Sequence, residues 1–361
     1  MIDGHNDLPW AMLTRFGGDF ARGDIAKPVP ALHTDIPRLR AGGVTGQFWS
    51  VYVPSTLSGG NAVSATLQQI DVVQRMIDCY PDTFRSALTA SDIEQSHAVG
   101  MIASLIGVEG GHSIDESLGV LRMLFRLGAR YMTLTHNDNT PWADSATDTP
   151  VLNGLSAFGE TVVAEMNRLG MMVDLSHVSA DVMRHALRVT AAPAIFSHSS
   201  ARAICNVARN VPDDVLASLS TNGGVCMVTF VAEFVSPEWA EWMNAIYATL
   251  AERGLDVRDH DLYDLVAAER ASAQSEPVAT IDDVVAHIEH VRAVAGLGHV
   301  GIGGDFDGCS NLPVGLADVG GYPSLFSALR ARHWSESDLV ALQRGNILRV
   351  MRDVEGVASA S

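Results

Sequence analysis

Lysine is nearly absent from this chain of 361 residues, in which Lys27 is the single lysine. The chain contains 24 basic residues and 42 acidic ones. The formal net charge is therefore −18. A surface of this sign repels the phosphates of nucleic acids and the headgroups of anionic membranes. We therefore expect an acidic, soluble surface, and neither nucleic acid nor a membrane as a partner.

Cysteine is also scarce, and none of the four cysteines lies in a CxxC pair or at zinc-finger spacing. They are Cys79, Cys205, Cys226 and Cys309. Scattered cysteines in a chain of this length indicate buried thiols in a reducing compartment. No apolar run approaches the ~18 to 20 residues that span a bilayer, and the start of the chain shows no leader pattern. These features predict a cytoplasmic protein.

Short apolar or β-branched runs alternate with longer helical patterns along the chain. The chain is 47% hydrophobic and contains 32 glycines, a composition typical of a compact fold, and its length is compatible with one α/β barrel or with two domains. Eight strands are predicted, at residues 2–4, 45–53, 101–108, 129–135, 171–175, 194–197, 224–231 and 299–304. Eight strands with a helix between most neighbours predict an α/β fold of the (β/α)8 TIM-barrel type.

The predicted barrel occupies residues 1–361 as a single domain. Residues 236–277, after the seventh strand, exceed one connecting helix and are predicted to be a helical insertion. An open doubly wound sheet, the other architecture considered, usually carries GxGxxG directly after a strand, and no such motif occurs here.

Most of the predicted strands end in a side chain that can bind a metal or transfer a proton. Functional groups of a barrel gather at the C-terminal ends of its strands. The side chains found there are His5, Asp7, Glu109, His136, His177, His198 and Asp305. In an extended strand residues i and i+2 point to the same side, so His5 and Asp7 are predicted to project together.

Mixed histidine and carboxylate ligands suit Zn²⁺, with Mn²⁺, Co²⁺ and Fe²⁺ as alternatives. Five candidate ligands exceed what one catalytic zinc needs when a position stays open, so two metals that share a carboxylate fit better. Many barrels with two metals use a carboxylated lysine as the bridge. Lys27 lies among prolines and far from any such strand, so Glu109 is the available bridge.

Seven motifs together resemble the membrane (renal) dipeptidase family, a branch of the amidohydrolase superfamily. They occur in the family's order, and the resemblance covers nearly the whole chain, from residue 2 to about residue 352. The motifs are DGHNDLP at 3–9, GVEGGH at 107–112, LTHN at 134–137 with TPWAD at 140–144, DLSH at 174–177, FSHS at 196–199, RNVPDD at 209–214 and GGDFDG at 303–308.

The resemblance implies a dipeptidase with two Zn²⁺ per chain. One zinc would be held by His5, Asp7 and Glu109, and the other by Glu109, His177 and His198. Glu109 and a hydroxide would bridge the two ions. The resemblance also implies a homodimer.

The same resemblance implies roles for three further residues. His136 would polarise the scissile carbonyl, Arg209 would bind the C-terminal carboxylate of a dipeptide, and Asp305 would meet its free amine and transfer the proton. The substrates would be small dipeptides, including ones with a D-residue at the C-terminal position. An amidohydrolase acting on another small amide or on an N-acyl amino acid is the alternative.

Several assignments stay open on the sequence alone. Asp307 competes with Asp305 as the acid–base residue, because residues i and i+2 of a strand end both face inward. Arg209 is either a substrate ligand or the partner of an aspartate at 213 or 214 at a helix start. His112 is either a supporting partner of the metal site or has no part in it, and Trp142 either packs in the core or contacts substrate.

Overall fold

The computed structural model describes residues 1–257 and 260–360. Nine strands form one parallel sheet in this part of the chain, in the order β1-β2-β4-β5-β6-β7-β8-β9, with β3 paired to β4 alone. They are β1 Ile2–Asn6, β2 Gly46–Tyr52, β3 Phe84–Ser86, β4 Ile102–Glu109, β5 Ala129–Thr133, β6 Met172–Asp174, β7 Ile195–Phe196, β8 Val225–Val228 and β9 Val300–Ile302.

The first and last strands of this order approach each other, so the sheet forms a nearly closed barrel. Asn6 and Phe306 form a parallel bridge, and the backbone N–H of Asp7 donates to the carbonyl of Phe306 at 2.9 Å. The eight strands on the closed path correspond to the eight predicted strands, which confirms the predicted barrel.

The helices flank this barrel. They are α1 Leu8–Phe16, α2 Ile36–Ala41, α3 Gly59–Cys79, α4 Ala90–Ala98, α5 Leu118–Arg126, α6 Ala157–Leu169, α7 Ala180–Val189, α8 Asp213–Asn222, α9 Ala232–Val235, α10 Pro237–Glu252, α11 His260–Ala273, α12 Ile281–Ala295, α13 Tyr322–Ala331, α14 Glu336–Val340 and α15 Asn346–Ala360. A π-helical turn, Ala341–Gly345, joins the last two. None of the described helices is long and apolar enough to cross a bilayer.

The segment predicted as an insertion contains α10 and α11. These two helices contact each other through the rings of Tyr247 and Tyr263, whose centroids lie 5.4 Å apart. Residues 258 and 259, which fall within the predicted range 236–277, lie outside the described residues. That this segment is an insertion stays a prediction.

The strands are buried on both faces, as expected for parallel strands covered by helices. Every residue of β4 is buried. Apolar side chains such as Phe48, Leu105 and Met227 form a cluster that α15 also joins. Because apolar side chains occupy this cluster, the polar residues of the strand ends collect at the opposite, C-terminal face.

Candidate metal centre

The structure brings the five predicted metal ligands together at the C-terminal ends of four strands. His5 lies within β1 and Asp7 directly follows it, while Glu109 is the last residue of β4. His177 and His198 follow β6 and β7 by a few residues. All five side chains are buried. Residues separated by almost two hundred positions therefore form one polar cluster within the barrel mouth.

Glu109 lies between two groups of ligands. One carboxylate oxygen, Oε2, is 3.3 Å from Nε2 of His5. The other, Oε1, is 3.1 Å from Nε2 of His177 and 3.5 Å from Nε2 of His198. On the His5 side, Oδ2 of Asp7 also lies 3.3 Å from the same His5 nitrogen. This arrangement suits a carboxylate that bridges two cations.

The ring nitrogens in this cluster face one another. Nε2 of His177 lies 2.9 Å from Nε2 of His198, and the buried Nε2 of His5 has no hydrogen-bond partner within the described part of the chain. A neutral imidazole nitrogen without a proton presents a lone pair, and lone pairs that converge on a carboxylate attract a cation. Three overlapping groups of ligand atoms each lie within 4.8 Å of one another. They are His5–Glu109–His198, Glu109–His136–His177 and His5–Asp7–Asp305. The donor set fits divalent metals.

Burial and neighbouring charges set the protonation of the cluster. Burial lowers the pKa of His177 and of His198 well below the ordinary histidine value, with the charge of Arg209 acting in the same direction. Burial alone would raise the pKa of Glu109, but the charge of a protonated His5 and a hydrogen bond from His177 outweigh it and hold that pKa well below its usual value. Although burial opposes the shift, Tyr131 and the carboxylates of Glu109 and Asp7 raise the pKa of His5 well above the ordinary histidine value, so a cation that binds here replaces a proton on His5. Neutral imidazoles beside an ionised carboxylate are the states in which these side chains bind metals.

Two residues that the sequence did not single out hold this cluster in place. The phenol of Tyr131 lies 2.8 Å from Nδ1 of His5 and donates to the carbonyl of Gly4 at 3.1 Å, so it accepts the Nδ1–H of His5. When His5 gives up its Nε2 proton to a cation, the lone pair of Nε2 faces the cluster. Ser50 donates its hydroxyl to Oε2 of Glu109 at 2.8 Å. Both residues lie on strands, and nothing in their local sequence marks these contacts.

His136 lies at the edge of the cluster. Its Nε2 is 3.8 Å from Oε1 of Glu109. The centroid of its ring lies 4.3 Å from that of His177 and 4.8 Å from that of Tyr52. Burial lowers the pKa of His136 to about 4, so the imidazole is neutral at pH 7. Its buried Nδ1 meets no hydrogen-bond partner among the described residues.

Arg209 is buried close to the cluster. Its guanidinium donates to the hydroxyl of Ser199 at 3.4 Å and to the carbonyl of His198 at 3.5 Å, and it lies 5.2 Å from the centre of the Phe234 ring. Burial lowers the pKa of Arg209 to about 10, which leaves the group cationic at neutral pH. Within the described residues these two long hydrogen bonds use two of its five N–H donors, so the others can bind an anion.

The aspartates at the start of α8 bind other partners. Asp213 lies 2.8 Å from Nε2 of His290, and Asp214 accepts from Nε of Arg184 at 2.7 Å. The ion pair that the sequence offered as an alternative for Arg209 is therefore not among the contacts of the described structure.

The two competing aspartates face different surroundings. Oδ1 of Asp305 lies 3.9 Å from Nε2 of His5, inside the cluster. Asp307 instead accepts the backbone N–H of His33 at 2.7 Å and donates its own backbone N–H to Nδ1 of that histidine at 3.0 Å. Burial, together with the nearby carboxylate of Asp7, raises the pKa of Asp305 well above its usual value, although the charge of His5 opposes the shift. The geometry favours Asp305 as the proton-transferring carboxyl.

The remaining candidates lie outside the cluster. Nε2 of His112 is 3.1 Å from the carbonyl of Val53. Trp142 is 1% exposed and packs against the ring of Phe158, with centroids 6.2 Å apart. His112 is thus bonded to the backbone that follows β2, and Trp142 is a core side chain.

The sequence matches known proteins over its whole length. A family model described as membrane dipeptidase (peptidase family M19) matches residues 1–361. Dipeptidase 3 of Mus musculus is 40% identical over 374 residues, a match that covers 100% of this chain and 66% of that protein. The chain therefore spans slightly less than two thirds of the length of this curated relative.

Two solved structures resemble the fold closely. The dipeptidase AC, a metallopeptidase of family M19, has a TM-score of 0.81 at 26% identity, and the match covers 98% of each chain. A metallopeptidase from Rhodobacter sphaeroides, liganded with a phosphinate mimic of the dipeptide L-Ala-D-Ala, has a TM-score of 0.80 at 24% identity, again over 98% of each chain. The second likeness concerns the fold alone.

Proposed function

Because the chain belongs to the membrane dipeptidase family (peptidase family M19), we propose that it is a metal-dependent dipeptidase with a centre for two divalent cations. The observation that carries this proposal is the position of Glu109, whose two carboxylate oxygens face different histidines. A carboxylate in this position can be shared by two cations, and two-metal centres are common among hydrolases.

The ligands divide into two sets around Glu109. His5, Asp7 and Oε2 of Glu109 would hold one cation, and Oε1 of Glu109 with His177 and His198 would hold the other. Zinc suits this mixture of imidazole and carboxylate. Divalent cations held by these residues would lower the pKa of a bound water and would polarise a carbonyl oxygen.

His136 binds the oxygen of the scissile carbonyl in this proposal. A neutral imidazole has one N–H, which can donate to an oxygen that becomes negative during the reaction. Burial keeps His136 neutral at pH 7, and its Nδ1 is not engaged by the described residues. The group is therefore available in the protonation state that this role needs.

Arg209 binds the C-terminal carboxylate of the substrate. A dipeptide carries this carboxylate at a fixed distance from its one peptide bond. The guanidinium of Arg209, fixed beside the metal centre, therefore selects substrates of dipeptide length. The planar guanidinium forms two parallel hydrogen bonds with a carboxylate, which a lysine cannot do. The buried position of Arg209 strengthens such an ion pair, because solvent does not screen it.

Asp305 carries the proton to the leaving nitrogen. An amide nitrogen leaves readily only after protonation, so an acid must lie beside the reacting bond. Burial and the nearby carboxylates of Asp7 and Glu109 raise the pKa of Asp305 well above its usual value, so this carboxyl accepts a proton more readily than an exposed aspartate does. Its side chain also meets the free amine of the substrate in this proposal.

The experiment that tests this function is a dipeptide library, with L and D residues at the C-terminal position, assayed on protein reconstituted with zinc. We expect hydrolysis of free dipeptides and about two metal equivalents per chain. Arg209→Ala should raise KM sharply for free dipeptides and change it little for dipeptides with an amidated C-terminus. Arg184→Ala, which removes an exposed arginine, serves as the matched control.

Three results would contradict the proposal. If the active protein bound only one metal equivalent per chain, Glu109 could not bridge two cations. If Arg209→Ala changed KM equally for free and for amidated dipeptides, Arg209 would not bind the C-terminal carboxylate. Hydrolysis of N-acyl amino acids without hydrolysis of any free dipeptide would favour the alternative amidohydrolase, because such substrates keep the carboxylate but lack the free amine.

We also propose a reducing, cytoplasmic location and a homodimeric state. The four cysteines have free thiols, which supports the location. The dimer rests on the family resemblance. Light scattering of the purified protein measures the mass in solution, and a monomeric mass would exclude the dimer.

A further inference from the structure

The outer nitrogen of His198 leads to a buried carboxylate. Nδ1 of His198 lies 2.8 Å from the hydroxyl of Ser197, and that hydroxyl lies 2.6 Å from Oδ2 of Asp174. A carboxylate oxygen accepts but does not donate, so the hydroxyl proton of Ser197 points to Asp174. The hydroxyl lone pair then accepts the Nδ1–H of His198. This chain of two hydrogen bonds fixes the tautomer in which Nε2 of His198 presents its lone pair to the metal centre.

Asp174 is held by four donors from three neighbouring strands. The backbone N–H groups of Ser176 and Ser197 donate to its Oδ1 at 3.1 and 2.9 Å. The hydroxyls of Thr133 and Ser197 donate to its Oδ2, each at 2.6 Å. The residue is fully buried. It therefore connects the C-terminal ends of β5, β6 and β7 and leaves Ser197 little freedom to turn away from His198.

The other histidines of the centre lack such a connection. Nδ1 of His5 donates to the phenol of Tyr131, which is neutral. Nδ1 of His177 is buried and, within the described residues, has no hydrogen-bond partner. Among the described residues, His198 is the one of these three imidazoles whose Nδ1 is linked to a carboxylate, through the hydroxyl of Ser197. Because the hydroxyl of Ser197 donates to an anion, it is a stronger acceptor for the Nδ1–H of His198, and that imidazole becomes a stronger base. The loss of such a partner weakens metal affinity.

We propose that Asp174 is a positioning residue of the metal centre, which orients His198 through Ser197 and raises the affinity of the cation that His198 binds. This inference rests on the proposed function, since it takes His198 as a metal ligand. Asp174 does not contact the metal or the substrate. Its effect should therefore be confined to one of the two cations, the one shared by His177 and His198.

The test measures zinc affinity by competition with a chelator, together with zinc content per chain, in the full-length protein. Ser197→Ala removes the hydroxyl between Asp174 and His198 and leaves the other donors to Asp174 in place. We expect this variant, and Asp174→Asn, to bind one of the two zinc ions about 10- to 100-fold more weakly while the other keeps its affinity. In the cobalt-substituted protein, the visible absorption of that one site should change.

Thr133→Val is the matched control. It removes one hydrogen bond to Asp174 but does not touch Ser197 or His198. We expect both zinc affinities of this variant to stay near those of wild type, although its melting temperature falls. Equal weakening by Thr133→Val and Ser197→Ala would overturn the proposal, because the effect would then come from general packing.

Failure of this inference can be told apart from failure of the proposed function. Wild-type affinities for both ions in Ser197→Ala would overturn the role of Asp174, even if the protein hydrolyses dipeptides. If His198→Ala retained both ions, the premise and the inference would fall together. Loss of one ion in Ser197→Ala from a protein that hydrolyses no dipeptide would support the inference and contradict the proposed function. Should Asp174→Asn not fold, Ser197→Ala alone still decides the question.

Discussion

The Nε2 atoms of His177 and His198 lie 2.9 Å apart, and both face the same oxygen of Glu109. These histidines follow β6 and β7, two strands that pair in parallel, so the pairing of neighbouring strands brings them together. Burial keeps both neutral, which leaves two imidazoles and a carboxylate directed at one small volume. Such an arrangement is stable in a buried site when a cation occupies that volume.

Replacing Glu109 with glutamine should remove the shared ligand. A neutral amide binds divalent cations far more weakly than a carboxylate, and it offers only one oxygen, so we expect zinc content to fall below two equivalents per chain. Activity should fall by more than the roughly 10- to 100-fold that the loss of a supporting partner costs. Metal analysis and kcat/KM measure the two effects.

The matched control is Glu160→Gln, which removes a partly exposed carboxylate on α6 that pairs with His185. It should leave metal content and kcat/KM unchanged. Two full equivalents of zinc in Glu109→Gln would contradict a bridging carboxylate.

Asp305→Asn should separate proton transfer from metal binding. The variant keeps the shape of the side chain but cannot deliver a proton, so kcat should fall roughly 100- to 10,000-fold. Zinc content should stay near two equivalents, because Asp305 is not among the five proposed ligands. The comparison is with Asp307→Asn, whose side chain bonds the backbone of His33 rather than the cluster. The Asp307→Asn protein should have a lower melting temperature and a kcat near that of wild type. If Asp307→Asn lost kcat while Asp305→Asn kept it, Asp307 would be the acid.

Gly107→Ala should disturb the support of His5 without changing any ligand. A Cβ at Gly107 would overlap the ring of Tyr131, whose hydroxyl accepts from His5. Overpacking of this kind costs about 1–3 kcal/mol of stability. We expect a lower melting temperature and weaker binding of one zinc ion. Gly60→Ala is the control, since a Cβ there meets no atom within 4 Å. A Gly107→Ala protein with both wild-type zinc affinities would show that Tyr131 does not tune His5.

The barrel, and the meeting of the proposed ligands at the C-terminal ends of its strands, could be predicted from the sequence for one physical reason. Each buried strand is a run of apolar residues, and a His, Glu or Asp at its end interrupts that run visibly. The strand β3, Phe84–Ser86, has no predicted counterpart, because it has three residues and only Phe84 is buried. Helix α1 was not predicted either. This helix begins at Leu8, and Pro9 lies in its first turn. A proline is tolerated there, because the backbone N–H groups of the first turn have no partner within the helix.

The support of the ligands could not be predicted from the sequence. Tyr131 bonds His5 across 126 positions, and Ser50 bonds Glu109 across 59. Neither residue stands at a strand end, and neither breaks a periodic pattern. Such contacts follow from the register of neighbouring strands, which local sequence does not encode. The choice between Asp305 and Asp307 depended in the same way on where His33 lies in the fold.

His287 should make the protein less stable in mild acid. It is fully buried, its Nδ1 accepts the backbone N–H of Ala201 at 2.9 Å, and its Nε2 donates to the carbonyl of Val235 at 3.1 Å. Burial lowers the pKa of His287 to about 4, whereas a histidine in the unfolded chain titrates near ~6.5. As the pH falls from ~6.5 toward 4, the unfolded state binds a proton that the folded state does not. The free energy of unfolding therefore decreases over this range, by at most about 1.4 kcal/mol per pH unit for this one group.

His287→Gln isolates that contribution. The amide of glutamine can accept from one backbone group and donate to another, but it does not titrate. We expect the variant to be less stable than wild type at pH 8, because the fit is poorer, and the difference between the two proteins to shrink as the pH falls to 4. Urea unfolding at a series of pH values measures both curves. The buried histidines of the metal centre affect both proteins equally, so they cancel in the difference. A difference that stayed constant across this range would mean that His287 binds a proton as readily in the folded protein as in the unfolded chain. The lowered pKa of a buried, neutral imidazole with two hydrogen bonds would then be wrong.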